Sequence, residues 1–122
     1  MRWPTVLVLF AILILPYTAL ARTWYVKPDS TGDVPTIQVA VDSAAAQGDT
    51  VLLANGTFTG AGNRQVDCLD KALTIISESG DPDLCLIDCG GVSTCFEELA
   101  AFYFRSSDNG TPRLEGVTIT RG

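Results

Sequence analysis

Four cysteines, Cys68, Cys85, Cys89 and Cys95, carry the most reactive side chains of this 122-residue chain, and there is no histidine to join them. Without an imidazole, neither a Ser-His-Asp nor a Cys-His nucleophile can be assembled from these residues. Zinc is disfavoured for the same reason, and because C-x3-C-x5-C lacks the paired spacing of structural zinc sites. An even cysteine count in an exported chain favours disulfides, and four cysteines permit three pairings. If Cys85 and Cys89 lie on one extended strand their Cα atoms are about 13 Å apart, beyond the reach of about 7 Å that a disulfide needs. The favoured arrangement joins Cys68 to Cys85 and Cys89 to Cys95.

The other side chains with chemical capacity are oxygen donors and aromatics. Asp81 and Asp83, and Asp67 with Asp70, offer oxygens of the kind Ca²⁺ takes, yet the spacing is neither that of an EF-hand nor that of a calcium-binding nonapeptide repeat, so Ca²⁺ is only weakly supported. Solvated turns explain these acids better, and no other metal or cofactor is expected. Glu97 and Glu98 are adjacent, so on a strand they face opposite ways and cannot converge on one substrate as an acid and base pair. Trp24, Tyr25 and Tyr103 could stack on sugar rings, although early-strand aromatics more often fill a core. Asn55-Gly-Thr57 and Asn109-Gly-Thr111 fit the N-glycosylation pattern and also read as turns.

The elements that must position these residues begin after an export signal. Arg2 precedes an apolar run from Val6 to Leu15, then Pro16 and a short stretch ending Ala19-Leu20-Ala21. A charged start, a short apolar core and an A-x-A ending form a secretory signal peptide, with cleavage expected after Ala21. The run is too short to span a bilayer and Pro16 ends it, so no stable membrane span is expected once it is removed. Residues 22–122 then carry seven Lys and Arg against fourteen Asp and Glu, a net charge of −7. That balance opposes binding to nucleic acid, which needs clustered cations to neutralise phosphates. The product is expected outside the cell or at its surface.

In the exported part, Arg22 to Val26 is β-prone, and Lys27 to Pro35 is turn chemistry. Thr36 is placed to cap a helix running to about Gln47, with Ile37, Ala40, Val41 and Ala44 at i, i+3, i+4 and i+7 and Gly48 as its stop. Short strands follow: Thr50 to Ala54, Thr57 to Thr59 after the turn pair Asn55-Gly56, Ala72 to Ser77, Leu84 to Asp88, Ala101 to Arg105 and Leu114 to Thr120. Ile75 and Ile87 are twelve apart, Phe104 and Val117 thirteen, so two strand-turn-strand units recur with offsets of 29 and 30 residues. A roughly constant period of this length suits stacked repeats, and a compact β-sandwich is the competing arrangement.

The run TWYVKPDSTGDVPTIQVAVDSAAAQGDTVLLANGTFTG, residues 23–60, resembles the opening of bacterial right-handed parallel β-helix proteins of the pectin-lyase-like superfamily. There a strand, a helix bearing T-I-Q-x-A-[VI]-x-x-A and a G-D-T-[VI] strand begin the coil. Residues 71–91 and the stretch LEGVTITRG are similar to its first rungs. The resemblance implies an all-β fold with one N-terminal capping helix: a signal peptide over 1–21, first strand and capping helix over 22–48, and the first rungs of a solenoid over 49–122. It implies inward stacking of Leu53, Ile75 or Ile76, Ile87, Phe102 or Phe104, and Val117 with Ile119, and further rungs beyond Gly122.

Enzymes of that superfamily carry their catalytic Asp, Lys, Arg or Gln residues on central rungs, and no residue here matches them. The chain is therefore expected to be a non-catalytic extracellular or cell-surface scaffold contacting a polysaccharide or cell-surface glycan. The alternative is the N-terminal part of a pectate-lyase-like or pectinesterase-like enzyme.

Overall fold

The computed structural model describes residues 20–90, 102–103 and 110–121. Most of the expected signal segment lies outside them, as do Cys95, Glu97, Glu98, Phe104 and Asn109. The described elements are β1 (Thr23–Val26), α1 (Ile37–Ser43), β2 (Gln47–Leu53), β3 (Gly56–Phe58), β4 (Val66–Asp67), β5 (Ala72–Ser77), β6 (Cys85–Asp88), β7 (Phe102–Tyr103), β8 (Arg113–Glu115) and β9 (Thr118–Thr120). The described residues are mainly β with one short helix. No helix among the described residues is long and apolar enough to cross a membrane.

The strands form three sheets, in the orders β1-β2-β5-β8, β3-β6-β9 and β4-β7, and every strand pair is parallel. Alternation along each strand sends one row inward, as a half-buried strand requires. Trp24, Val51, Ile75 and Leu114 are in register across the first sheet, beside the row Val26, Leu53 and Ser77. Phe58, Ile87 and Ile119 form the matching row of the second. Val26, Val51, Leu53, Phe58, Ile75 and Ile87 are fully buried, and Ile76 is the half-exposed neighbour that points the other way.

Several sequence expectations are corrected by this pairing. Ala72 to Ser77 pairs with Arg113–Glu115, not with Phe102–Tyr103, whose partner is Val66–Asp67. Leu114 to Thr120 is two strands, broken at Gly116, and Ile119 rather than Val117 aligns with Ile87. Asn55-Gly56 is the expected turn, and it carries the chain from the first sheet into the second. Each is a choice of long-range partner, which local turn chemistry does not specify.

Helix α1 buries the face expected of it. Ile37, Ala40 and Val41 are inaccessible and Ala44 nearly so, packed against β1, β2 and β4. Thr36 Oγ1 accepts from Val39 N–H at 3.3 Å, the N-cap bond anticipated at that position. The helix ends at Ser43, earlier than expected, because Lys71 Nζ donates to the carbonyls of Val41, Asp42 and Ala44 at 2.7, 3.0 and 2.7 Å. An ammonium there satisfies the unpaired carbonyls and suits the negative end of the helix dipole. Gly48 is not the helix stop. It lies within β2 at φ +86°, where the register against β5 slips by one residue between Gln47 and Thr50. Such a bulge with a left-handed glycine re-aims the residues that follow it, and Asp49 becomes part of the inward row.

The segment after β1 protects the open edge of the first sheet. Asp33 accepts from Tyr25 N–H through Oδ2 at 2.9 Å and donates its own N–H to Tyr25 O at 2.8 Å. Gly32 is needed in this fold-back, since a Cβ there would stand 2.3 Å from Tyr25 O. Exposed strand edges invite pairing with other chains, and these bonds occupy this one.

Candidate functional site

At the C-terminal ends of β1, β2 and β5 lies an open cleft of about 510 Å³, lined by Tyr25, Lys27, Asp29, Asn55 and Glu78 among others. Tyr25 points outward because the inward positions of β1 are taken by Trp24 and Val26. Its hydroxyl donates to Glu78 Oε2 at 2.8 Å, and Lys27 Nζ stands 5.7 Å from its ring centroid. Asp29 Oδ1 accepts from Thr31 N–H at 3.0 Å and Thr31 Oγ1 at 2.6 Å, which fixes the carboxylate at the turn. An aromatic ring, a cation, an exposed amide and two carboxylates thus share one shallow surface.

The electrostatics of these groups suit binding more than proton transfer. The hydrogen bond to Glu78, followed by burial and the Glu78 charge, raises the Tyr25 pKa, so the phenol stays protonated and donates. The bonds from Thr31 lower the Asp29 pKa, so that carboxylate stays ionised. A general acid or base works best with a pKa near the working pH, and both groups are displaced away from it.

A second cluster surrounds Asp49. This carboxylate is 4% exposed, and it accepts from Arg22 N–H at 3.0 Å, Trp24 Nε1–H at 3.1 Å and Ala45 N–H at 2.9 Å. Burial pushes its pKa up, and the three N–H donors together with the Arg22 charge more than reverse that, leaving it lowered. Trp24 takes the core position expected of an early-strand aromatic rather than that of a sugar platform, and it is tied to this carboxylate.

Cys68, Cys85 and Cys89 are buried free thiols, so the expected Cys68–Cys85 bond is not made, and Cys95, the expected partner of Cys89, lies outside the described residues. Cys68 follows a strand of the third sheet, whereas Cys85 and Cys89 bracket β6 in the second, and all three act as small apolar fillers of the interior. Burial, helped by the Asp67 charge, pushes Cys68 up to about 11, and burial alone does the same for Cys85. Cys89 is raised as well, by burial and then by the Asp88 charge. Since the thiolate is the reactive form, these thiols should resist alkylation at neutral pH in the native protein and react without any reductant once urea unfolds it. A thiol count after unfolding that rises only when reductant is added would contradict this.

Two of the remaining acidic candidates, Asp81 and Asp67, are occupied locally. Asp81 Oδ1 accepts from Asp83 N–H at 2.9 Å and Asp67 Oδ1 from Leu69 N–H at 3.0 Å, as in Asx turns. Among the described residues no three His, Cys, Asp or Glu side chains gather as a metal site. Asn55 is exposed, at the lip of the cleft. Sequence reasoning did not find this cleft, because Tyr25, Asn55 and Glu78 are brought together by parallel pairing of strands more than twenty residues apart. Comparison with known proteins is silent: no family model, curated protein or solved structure matches this chain.

Proposed function

We propose that this is an exported right-handed parallel β-helix protein of the pectin-lyase-like kind, acting as a non-catalytic scaffold that contacts a glycan at the cell surface. Three observations support the architecture: strands added in register to parallel sheets, inward rows of stacked apolar side chains, and α1 packed beside the edge strand β1. In this reading α1 and the 27–35 segment cover the first rung, which would otherwise expose unpaired backbone groups. The observation that carries the function is the Tyr25 cleft, where an outward ring is flanked by Lys27, Asn55, Asp29 and Glu78. Sugar rings present C–H faces that stack on aromatic rings and hydroxyls that both donate and accept, and this surface offers partners for each.

Two carboxylates and one ammonium make the cleft better suited to a neutral oligosaccharide than to a polyuronate. Titration of the protein with mannan- or glucan-derived oligosaccharides, followed by NMR, should perturb Tyr25 and Asn55, and oligogalacturonate should bind less well. Tyr25→Ala should weaken binding about tenfold, equivalent to roughly 1.4 kcal/mol. Indifference of binding to that substitution would refute the site, and release of new reducing or unsaturated ends from pectic substrates would establish the enzyme instead.

A further inference from the structure

The buried Asp49 carboxylate has three N–H donors but no cationic side chain in ion-pair contact; the ion pairs among the described residues are Arg113–Glu115 and Arg121–Asp88. Buried charges are usually paired, and here the Arg22 charge acts only from beyond ion-pair distance, so the close partners are all neutral dipoles. The glycine bulge of β2 turns Asp49 inward and places its Oδ1 3.0 Å from the backbone nitrogen of Arg22. Arg22 is held from its other side too, its carbonyl accepting from Thr50 N–H at 2.9 Å. Its guanidinium does not reach for the carboxylate and lies 3.7 Å over the Trp24 ring. Immediately upstream the chain leaves the body of the protein: Leu20 is 88% exposed and Ala21 is exposed.

We infer that Asp49 is the built receptor for a new N-terminus, so that removal of the leader after Ala21 gives the buried carboxylate its counter-ion. The inference rests on the export reading above. A signal peptidase hydrolyses the Ala21–Arg22 amide with one water, leaving a carboxylate on Ala21 and an ammonium on Arg22. Before cleavage that nitrogen is a neutral amide with a single N–H. After cleavage it carries a positive charge and three N–H groups at the same position, so one hydrogen bond becomes a charge-assisted ion pair to a carboxylate that is itself buried. Processing thereby tightens the junction where β1, the bulge of β2 and the residue after the helix meet.

The charged groups on the neighbouring elements have other partners. The Arg22 guanidinium stacks on Trp24, the Lys71 ammonium closes the end of α1, and the Asp42 carboxylate accepts from Gln38 Nε2 at 3.0 Å. A terminal ammonium paired with Asp49 should titrate above its ordinary value of about 8, so its contribution is complete below that pH and fades as the pH rises through the elevated value. Trp24 is the single tryptophan left once residues 1–21 are removed, and its indole shares the carboxylate, so its emission should report the titration.

The test compares the full chain, exported and processed, with a form carrying one serine inserted between Ala21 and Arg22, which moves the ammonium one residue away while keeping Asp49 and its three donors. Intact mass should show the parent product beginning at Arg22. Its thermal midpoint at pH 7 should exceed that of the inserted form by about 4–8 °C. That difference should disappear at alkaline pH, with a Trp24 emission change in the parent alone, and Asp49→Asn should remove both signals. A product beginning at another residue would overturn the cleavage site and this inference together. A product beginning at Arg22 whose midpoint and pH profile match those of the inserted form would leave export intact and overturn the ion pair. Should Asp49→Asn fail to fold, the insertion still decides between these outcomes.

Discussion

Val41→Asp should leave little or no soluble, folded protein. Val41 is fully buried on α1 between the strands of the first sheet and β4, and the one nearby ammonium, Lys71, is engaged with main-chain carbonyls. A carboxylate placed there must enter the interior unpaired or take up a proton, and either route costs on the order of 4–5 kcal/mol or more. Set against a typical total of 5–15 kcal/mol, that removes most of the stability of a small domain. If α1 covers the first rung as proposed, losing it also uncovers the β1 edge, so the unfolded material should aggregate. Val41→Ala, which deletes only two methyl groups, should fold with a loss of about 2 kcal/mol. Urea midpoints and soluble yield distinguish the two variants; a soluble Val41→Asp protein with a parent-like midpoint would mean that the helix does not pack as described.

Phe58→Ala should be the most damaging truncation in the sheets, at about 3–5 kcal/mol. Phe58 is the largest of the fully buried side chains, it lies in register with Ile87, and its row continues to Ile119. Removing a ring that touches neighbours on every side leaves a cavity that parallel strands, fixed by their ladders, cannot collapse to fill. Ile119 occupies the same row yet is 46% exposed. Ile119→Ala should therefore lose no more than about 1.5 kcal/mol, because much of that side chain already meets water. Equal urea midpoints for the two variants would show that the row is not stacked in this order.

What the residues disclose unaided is local. The face Ile37, Ala40, Val41 and Ala44 could be read off because helical periodicity places those positions on one stripe, and the structure buries all four. Ala72 to Ser77 could be read to the residue, since β-branched and aliphatic residues between turn formers leave few alternatives. The strand expected over Ala101 to Arg105 contains β7, but the two-residue β4 carries too short a pattern to announce itself or its pairing with β7. Ser77 would not have been placed inside from its type, yet it is 3% exposed because it falls in line with Val26 and Leu53.

By itself, then, the sequence determined the buried face of the described helix and the positions of most strands, because each is written in periodicities and turn chemistry spanning a few residues. The tertiary structure alone decided which strands pair, that Asn55-Gly56 makes a corner, that Gly48 is a bulge, that Cys68, Cys85 and Cys89 stay as thiols, and that Tyr25 meets Glu78 while Asp49 meets Arg22. Those outcomes rest on parallel ladders whose partners lie from 24 residues apart, as Leu53 and Ser77 do, to 39, as Ile75 and Leu114 do. No hydrogen bond or tight turn within either segment encodes such a partner. Register is set by which side chains stack in the shared interior, and that becomes defined only when the whole chain has folded.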